Sequence, residues 1–320
     1  MKEKNDIKAY VFLCFSVIFW GTSYVGTKIA LTDFPPLTLA FLRFFIASIV
    51  FLPFLIFQGR SKLSVHFHKK MMLISFFLPG LYFIFENYGI KYTTATKASL
   101  IAATIPVAVL TLSILFLKER ITFKRVFSLF LSLVGVALLI YNENGQSALL
   151  SISKGDALML GAVFAAATYM ILARKFSNEY SPVLITAFQM LYGSLFFLPF
   201  FLFQVPNVKW IAVELSSWIA LLVLALFSSV GAFVTYNSAL RYIPASKASV
   251  FINIVPFITI FLAWLLLDER LHLIQIVGGV VVISAAYLAQ AKDSTQIAPR
   301  SHSDQPFKTS GKMTLIRKSQ

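Results

Sequence analysis

Phe51-Leu-Pro-Phe-Leu-Ile-Phe-Gln58 returns 146 residues later as Phe197-Leu-Pro-Phe-Phe-Leu-Phe-Gln204, identical at six of eight positions. The same shift carries Pro36 onto Pro182, Thr22 onto Thr168 and Arg43 onto Gln189. A shift of 150 then takes over. It lays Asn87 and Tyr92 on Asn237 and Tyr242, Lys97-Ala-Ser99 on Lys247-Ala-Ser249, Pro106 on Pro256 and Glu119-Arg120 on Glu269-Arg270. Residues 87–120 match in 12 of 34 positions, and the four-residue difference in register fits an altered loop. Apolar similarity alone matches Leu and Phe. It does not also align Asn, Tyr, Lys-Ala-Ser, Pro and Glu-Arg, so the chain is read as an internal duplication.

What is duplicated follows from composition. The 320 residues are 58% hydrophobic and 13% charged, where a soluble domain carries roughly 25% charged residues. Apolar runs of spanning length recur at about 8–28, 37–57, 71–90, 97–117, 124–141, 156–174, 183–204, 215–237, 246–267 and 273–291, each of the roughly 20 residues that cross a bilayer. The first is too long for a signal-peptide core and is read as retained. Five helices per half is an odd number, so the second copy enters the membrane from the opposite side. The expected fold is an all-α integral membrane protein, ten transmembrane helices in two inverted five-helix repeats (1–145 and 146–291). A disordered basic cytoplasmic tail follows at 292–320.

The net charge of +15 could suggest a nucleic-acid partner, but the Lys and Arg sit between apolar runs and in the tail. With the N-terminus inside, 21 of them face the cytoplasm and six (Lys28, Lys91, Lys97, Lys154, Lys209, Arg270) face out, with Arg43 inside a span. That split predicts a multi-pass protein of the cell membrane with both termini cytoplasmic. Cys14 is the single cysteine, which excludes an intramolecular disulfide and a Cys-based metal site. His66, His68, His272 and His302 are expected in loops or the tail, without the carboxylate or third ligand a metal needs. There is no Gly-x-x-x-x-Gly-Lys-Ser/Thr loop, no nucleophile elbow and no buried catalytic cluster, so neither an enzyme nor a cofactor is expected.

Inverted repeats are the usual architecture of gradient-driven carriers, because two near-equal halves can exchange conformations around a site between them. Glu86 is the leading candidate for that site. It stands inside the third run, where an unpartnered charge costs about 3 kcal/mol or more. It is either a proton or substrate-amine group or the partner of Lys28, Arg43 or Lys91 in a structural ion pair. Its repeat partner Tyr236 is uncharged at neutral pH, so only one half has an ionisable group there. Arg43 offers five donors, either to neighbouring carbonyls or to an anion. Lys28 sits near a helix end, where it can snorkel. Trp20, Tyr24 and Tyr82 are candidate pocket walls, Tyr82 one turn before Glu86 on the same face; Asn87, Tyr236 and Asn237 complete the candidate set. Pro106 and Pro256 are candidate hinges, since proline breaks helical hydrogen bonds.

These residues resemble the EamA-type ten-helix carriers of the drug/metabolite transporter superfamily. The likeness rests on Trp20-Gly21-Thr22-Ser23 followed by Lys28, on Arg43 after Pro36, and on Gly155-Asp156. It rests also on the paired Lys-Ala-Ser, Pro, Glu-Arg segments. It spans about residues 8–291 and implies a basket in which helices 1, 3, 4, 6, 8 and 9 surround a cavity, gated by the 3–4 and 8–9 hairpins. It implies a secondary transporter for a small metabolite, an amino acid or drug-like solute, moved outward. Flipping of a lipid-linked molecule is the alternative. Ala166 stands where Trp20 would repeat, so the aromatic lining is expected on one side only.

Overall fold

The structure, a computed structural model, describes residues 2–58, 64–117, 123–140, 153–176, 179–243, 248–249 and 251–290. Every regular element among them is helical. In chain order these are α1 (Lys2–Ala30), α2 (Pro36–Gln58), α3 (Val65–Ser75), α4 (Tyr82–Tyr92), α5 (Ala95–Ala102), α6 (Ile105–Leu117) and α7 (Phe123–Ile140). Then follow α8 (Lys154–Phe176), α9 (Pro182–Gln204), α10 (Leu215–Val223), α11 (Ala232–Leu240), α12 (Val255–Leu267) and α13 (Leu273–Gln290). Caps set several starts. Ser64, Thr94 and Ser181 accept from the backbone N–H three residues on, at 3.2, 3.0 and 3.2 Å, satisfying a donor that the first turn leaves free. Pro182 follows Ser181 in the first turn of α9, where its missing N–H is not needed.

Among the described residues, seven helical stretches are long and apolar enough to cross a membrane, and Phe251–Leu267 and Leu273–Leu288 are shorter apolar helices. Large apolar side chains such as Phe57, Phe203, Trp264 and Leu273 stand exposed on the outside, far more than a water-soluble surface carries. The chain is a multi-pass membrane protein.

The third and eighth runs are not continuous. A π-helical segment, Phe76–Leu81, joins α3 to α4, and Leu78 within it has φ −145°, ψ 113°. A second, Leu224–Gly231, joins α10 to α11. The fourth run breaks between α5 and α6, and a 3₁₀ turn, Phe251–Ile254, precedes α12. Pro106 and Pro256, the candidate hinges, are each the second residue of a new helix, α6 or α12. His66 and His68 likewise belong to α3 rather than a loop, and His68 Nδ1 pairs with Tyr192 Oη at 2.7 Å. Glu119-Arg120, Lys247 and the 292–320 tail lie outside the described residues.

Packing follows a pattern. α2 lies against α9 and α7 against α13, while α1 packs on α11 and α12, and α8 packs on α4 and α6. The stretches that opened the sequence reading belong to α2 and α9. Phe41 stacks on Phe201 at 4.3 Å between ring centroids, and Phe44 on Phe197 at 6.0 Å. Close crossings depend on glycine. A Cβ at Gly21 would stand 2.6 Å from Ile258 Cβ, and one at Gly155 would stand 2.7 Å from the Gly89 carbonyl oxygen.

Candidate functional site

A cavity lies inside the bundle, lined by Trp20, Ser23, Tyr24, Arg43, Leu78, Tyr82, Phe83, Glu86, Ile105, Ala166, Met170, Phe233, Ile252 and Val255. Four of the helix interruptions meet it or its first layer. Leu78 comes from the π-helical segment before α4, Ile105 from the break before α6, Ile252 and Val255 from the turn into α12. Ser229, in the second π-helical segment, holds Arg43 from behind. Interrupted helices loosen the backbone where a transporter binds its substrate. The lining also comes in repeat-related pairs: Trp20 with Ala166, Tyr24 with Met170, Phe83 with Phe233, Ile105 with Val255.

The polar chemistry is concentrated on α1, α2 and α4. Tyr82 donates its hydroxyl to Glu86 Oε1 at 2.8 Å, and Tyr24 Oη stands 3.4 Å from Tyr82 Oη. Glu86 is buried and its Oε2 has no hydrogen-bond partner. Arg43 is buried too. Its Nε donates to Ser229 Oγ at 2.7 Å and its guanidinium lies over the Phe83 ring at 4.4 Å, a favourable cation–π contact. Its Nη groups have no hydrogen bond among the described residues. No ion pair within 4.0 Å reaches Glu86 among the described residues, and Arg43 on the same cavity wall interacts with it electrostatically. Lys28, its other nearby candidate partner, is engaged elsewhere: Nζ donates to the Ile90 and Thr93 carbonyls at 2.9 and 2.5 Å.

The structure thus gathers Trp20, Tyr24, Arg43, Tyr82 and Glu86 around one cavity and leaves the other candidates off its wall. Lys28 grips the end of α4. Asn87 donates to the Pro36 carbonyl at 2.8 Å. Tyr236 packs its ring on Trp20 at 5.0 Å, and its buried hydroxyl is unpartnered. Asn237 donates to Thr186 Oγ1 and Gln189 Oε1 at 3.0 Å each and accepts from Tyr169 Oη at 2.9 Å. Pro106 and Pro256 each follow a lining residue, Ile105 and Val255. Sequence reading missed Ser229. The signal was there in Ser228-Ser229, two hydroxyls inside an apolar run; Ser228 donates to the Phe19 carbonyl at 2.9 Å. Asp156, which the resemblance named without a role, is fully buried and accepts from Thr93 Oγ1 at 2.9 Å.

The cavity offers about 40 Å³ to water-sized groups, room for about three waters. The unpartnered Glu86 Oε2 and the Arg43 guanidinium thus share one aromatic-walled space, and buried polar atoms without partners are uncommon.

The family model described as the EamA-like transporter family matches this chain twice, over residues 7–141 and 153–290. The chain belongs to the EamA-like transporter family. Relatives of EamA type cover nearly its whole length. An "uncharacterized transporter YetK" of Bacillus subtilis is 29% identical over 292 residues, 90% of this chain and 88% of that one. An "uncharacterized transporter" of Archaeoglobus fulgidus is 27% identical over 286 residues, 89% of this chain and 100% of that one. A solved structure titled "Crystal structure of protein" shares the fold: it superposes with a TM-score of 0.63 at 16% identity, over 88% of this chain and 98% of that one. As an EamA-like protein, this chain is a membrane transporter.

Proposed function

We propose that this transporter is a secondary carrier that moves a small solute with both an ammonium and an anionic group, as an amino acid has, outward across the cytoplasmic membrane by alternating access. The observation that carries the reading is that the unpartnered Glu86 Oε2 and Arg43, whose hydrogen bond among the described residues is made by Nε alone, line one aromatic cavity. A carboxylate and a guanidinium on one wall can receive the two ends of a zwitterion, and Trp20, Tyr24 and Phe83 can flank its apolar part. Proton coupling belongs to the same reading. Glu86 is the single carboxylate on the cavity wall, and its proton and the substrate's ammonium would compete for one oxygen.

The architecture supports exchange between two halves. α1 meets α11 and α12 as α8 meets α4 and α6, and α2 and α7 meet their own repeat partners α9 and α13. That contact pattern supports two inverted five-helix repeats, 1–145 and 146–291, and the two family matches divide the chain near the same point. The charge split supports ten spans with both termini in the cytoplasm, where the basic tail would also lie.

Comparing the metabolites of cells and medium with and without the protein identifies the solute. An amino acid enriched in the medium is expected; a lipid-linked molecule changing leaflet would replace this reading by flipping. In vesicles with an imposed pH gradient, Glu86→Gln is expected to lose proton-driven accumulation of that solute by about 10- to 100-fold, the range for a hydrogen bond to a charged group. Downhill exchange is retained. Full pH-driven transport by a folded Glu86→Gln protein overturns the coupling.

A further inference from the structure

The tip of the α4–α5 hairpin is held by charged side chains from three other elements. Lys28, on α1, gives its ammonium to the Ile90 and Thr93 carbonyls, the exposed carbonyl end of α4. Glu269, from the α12–α13 connection, takes the Ala95 and Thr96 backbone N–H groups on its two oxygens at 2.9 Å each, the exposed amide end of α5. Asp156, at the start of α8, accepts from Thr93 Oγ1 and pairs with Lys97 Nζ at 3.3 Å. Each charge is placed where the helix dipole favours it, cation at the carboxyl end of α4 and anion at the amino end of α5. Glu269 and Asp156 come from the other half of the chain. All of these contacts lie at the face opposite the N-terminus, above the cavity.

The opposite face repeats one of them. Arg174, 146 residues after Lys28, donates to the carbonyl of Leu240, 150 residues after Ile90. The same grip therefore closes α4 at one face and α11 at the other.

We propose that Glu269 is the latch of the gate at the face opposite the N-terminus. It clips α5 to the second half of the chain, Lys28 and Asp156 steady the tip, and the cavity opens to that side when the carboxylate lets the two amides go. This rests on the alternating-access reading and assigns the device that shuts one face. Nothing in the substrate chemistry requires it, and it is tested without a substrate.

Ser23 lines the cavity, so a Ser23→Cys protein in a Cys14→Ser background reports access. A membrane-impermeant maleimide is applied to one face at a time. Glu269→Gln leaves one amide facing an N–H group, and labelling from the face opposite the N-terminus is expected to rise about tenfold, the effect of losing one charged hydrogen bond. Labelling from the other face stays level or falls. Ala95→Pro is the second variant. It removes one of the two latched N–H groups at the first position of α5, where proline fits. Thr94 before it already has the extended φ −85°, ψ 155° that proline requires. It is expected to act in the same direction, and it decides the matter if Glu269→Gln does not fold. Arg174→Met is expected to raise labelling from the N-terminal face instead. Parent-level labelling in folded Glu269→Gln and Ala95→Pro proteins overturns the latch, as does a rise from both faces, which would mean general loosening. Transport in vesicles is measured separately, so a failed latch and a failed carrier reading give different results.

Discussion

Arg43 and Gln189 occupy equivalent places in α2 and α9, and each reaches across to the broken third helix of the other half. Arg43 donates to Ser229 in the segment before α11. Gln189 donates to the Leu78 carbonyl in the segment before α4 at 3.1 Å. There the likeness ends. The Gln189 amide also accepts from Asn237, which accepts from Tyr169, and this chain of hydrogen bonds is closed and buried. Arg43 spends one donor on Ser229 and keeps the rest for the cavity. The same contrast runs along the wall: Trp20 against Ala166, Tyr24 against Met170, Tyr82 against Ala232, Glu86 against Tyr236. Duplication supplied two copies of one scaffold. In one copy Arg43 and Glu86 line the cavity, while in the other the Gln189–Asn237–Tyr169 network is closed, so the lining is asymmetric on a nearly symmetric frame.

The strongest way to break the comparison is to move the charge across it. Gln189→Arg puts a guanidinium where the Tyr169–Asn237–Leu78 network has no anion to meet it. A loss of about 3–5 kcal/mol is expected, the magnitude for an uncompensated buried charge, seen as a collapse of folded yield and of thermal stability in detergent. If Gln189→Arg is as stable as the parent, the two sites are interchangeable and the asymmetry carries no meaning. The reverse exchange is milder. Arg43→Gln can still donate to Ser229, so the fold survives, and the solute's anionic end loses its partner. KM is expected to rise about tenfold or more with stability close to the parent's, measured by uptake kinetics and thermal unfolding side by side. The smallest effect belongs to Tyr82→Phe, which removes one hydrogen bond from Glu86 and nothing from the wall. About a fivefold weakening of transport is expected, from roughly 1 kcal/mol. A loss as large as that of Glu86→Gln would make Tyr82 an equal partner in coupling and sharpen the contrast with Ala232.

The duplicated frame was legible because duplication leaves matched prolines and charges in register, and because spanning helices must be apolar. Glu86, Arg43, Trp20, Tyr24 and Tyr82 were legible for the same reason in reverse: a charge or a ring cluster inside an apolar run stands out. Ser229 was harder. A serine in a membrane helix usually returns its hydroxyl to a carbonyl one turn back, as Ser238 and Thr235 do here, and only the fold shows which serine meets Arg43 instead. Lys28 was misplaced toward the site because depth along α1 says nothing of which way its long side chain bends. The interrupted runs hid as well. Phe76–Leu81 and Leu224–Gly231 share an apolar composition with the helices that flank them, and only Pro79 hinted at the first break. Glu269 showed only as half of a repeated Glu-Arg pair: it binds backbone amides, which carry no sequence signature at all.

The small volume of the cavity has one more consequence. Space for a few waters between Trp20, Phe83, Ile105 and Phe233 cannot hold a continuous file of solvent from one face to the other. Narrow apolar constrictions of this kind empty readily of water. Were the chain the proton-coupled carrier proposed above, so narrow a space between aromatic rings would offer ions no leak path, and a solute would have to part the rings to pass.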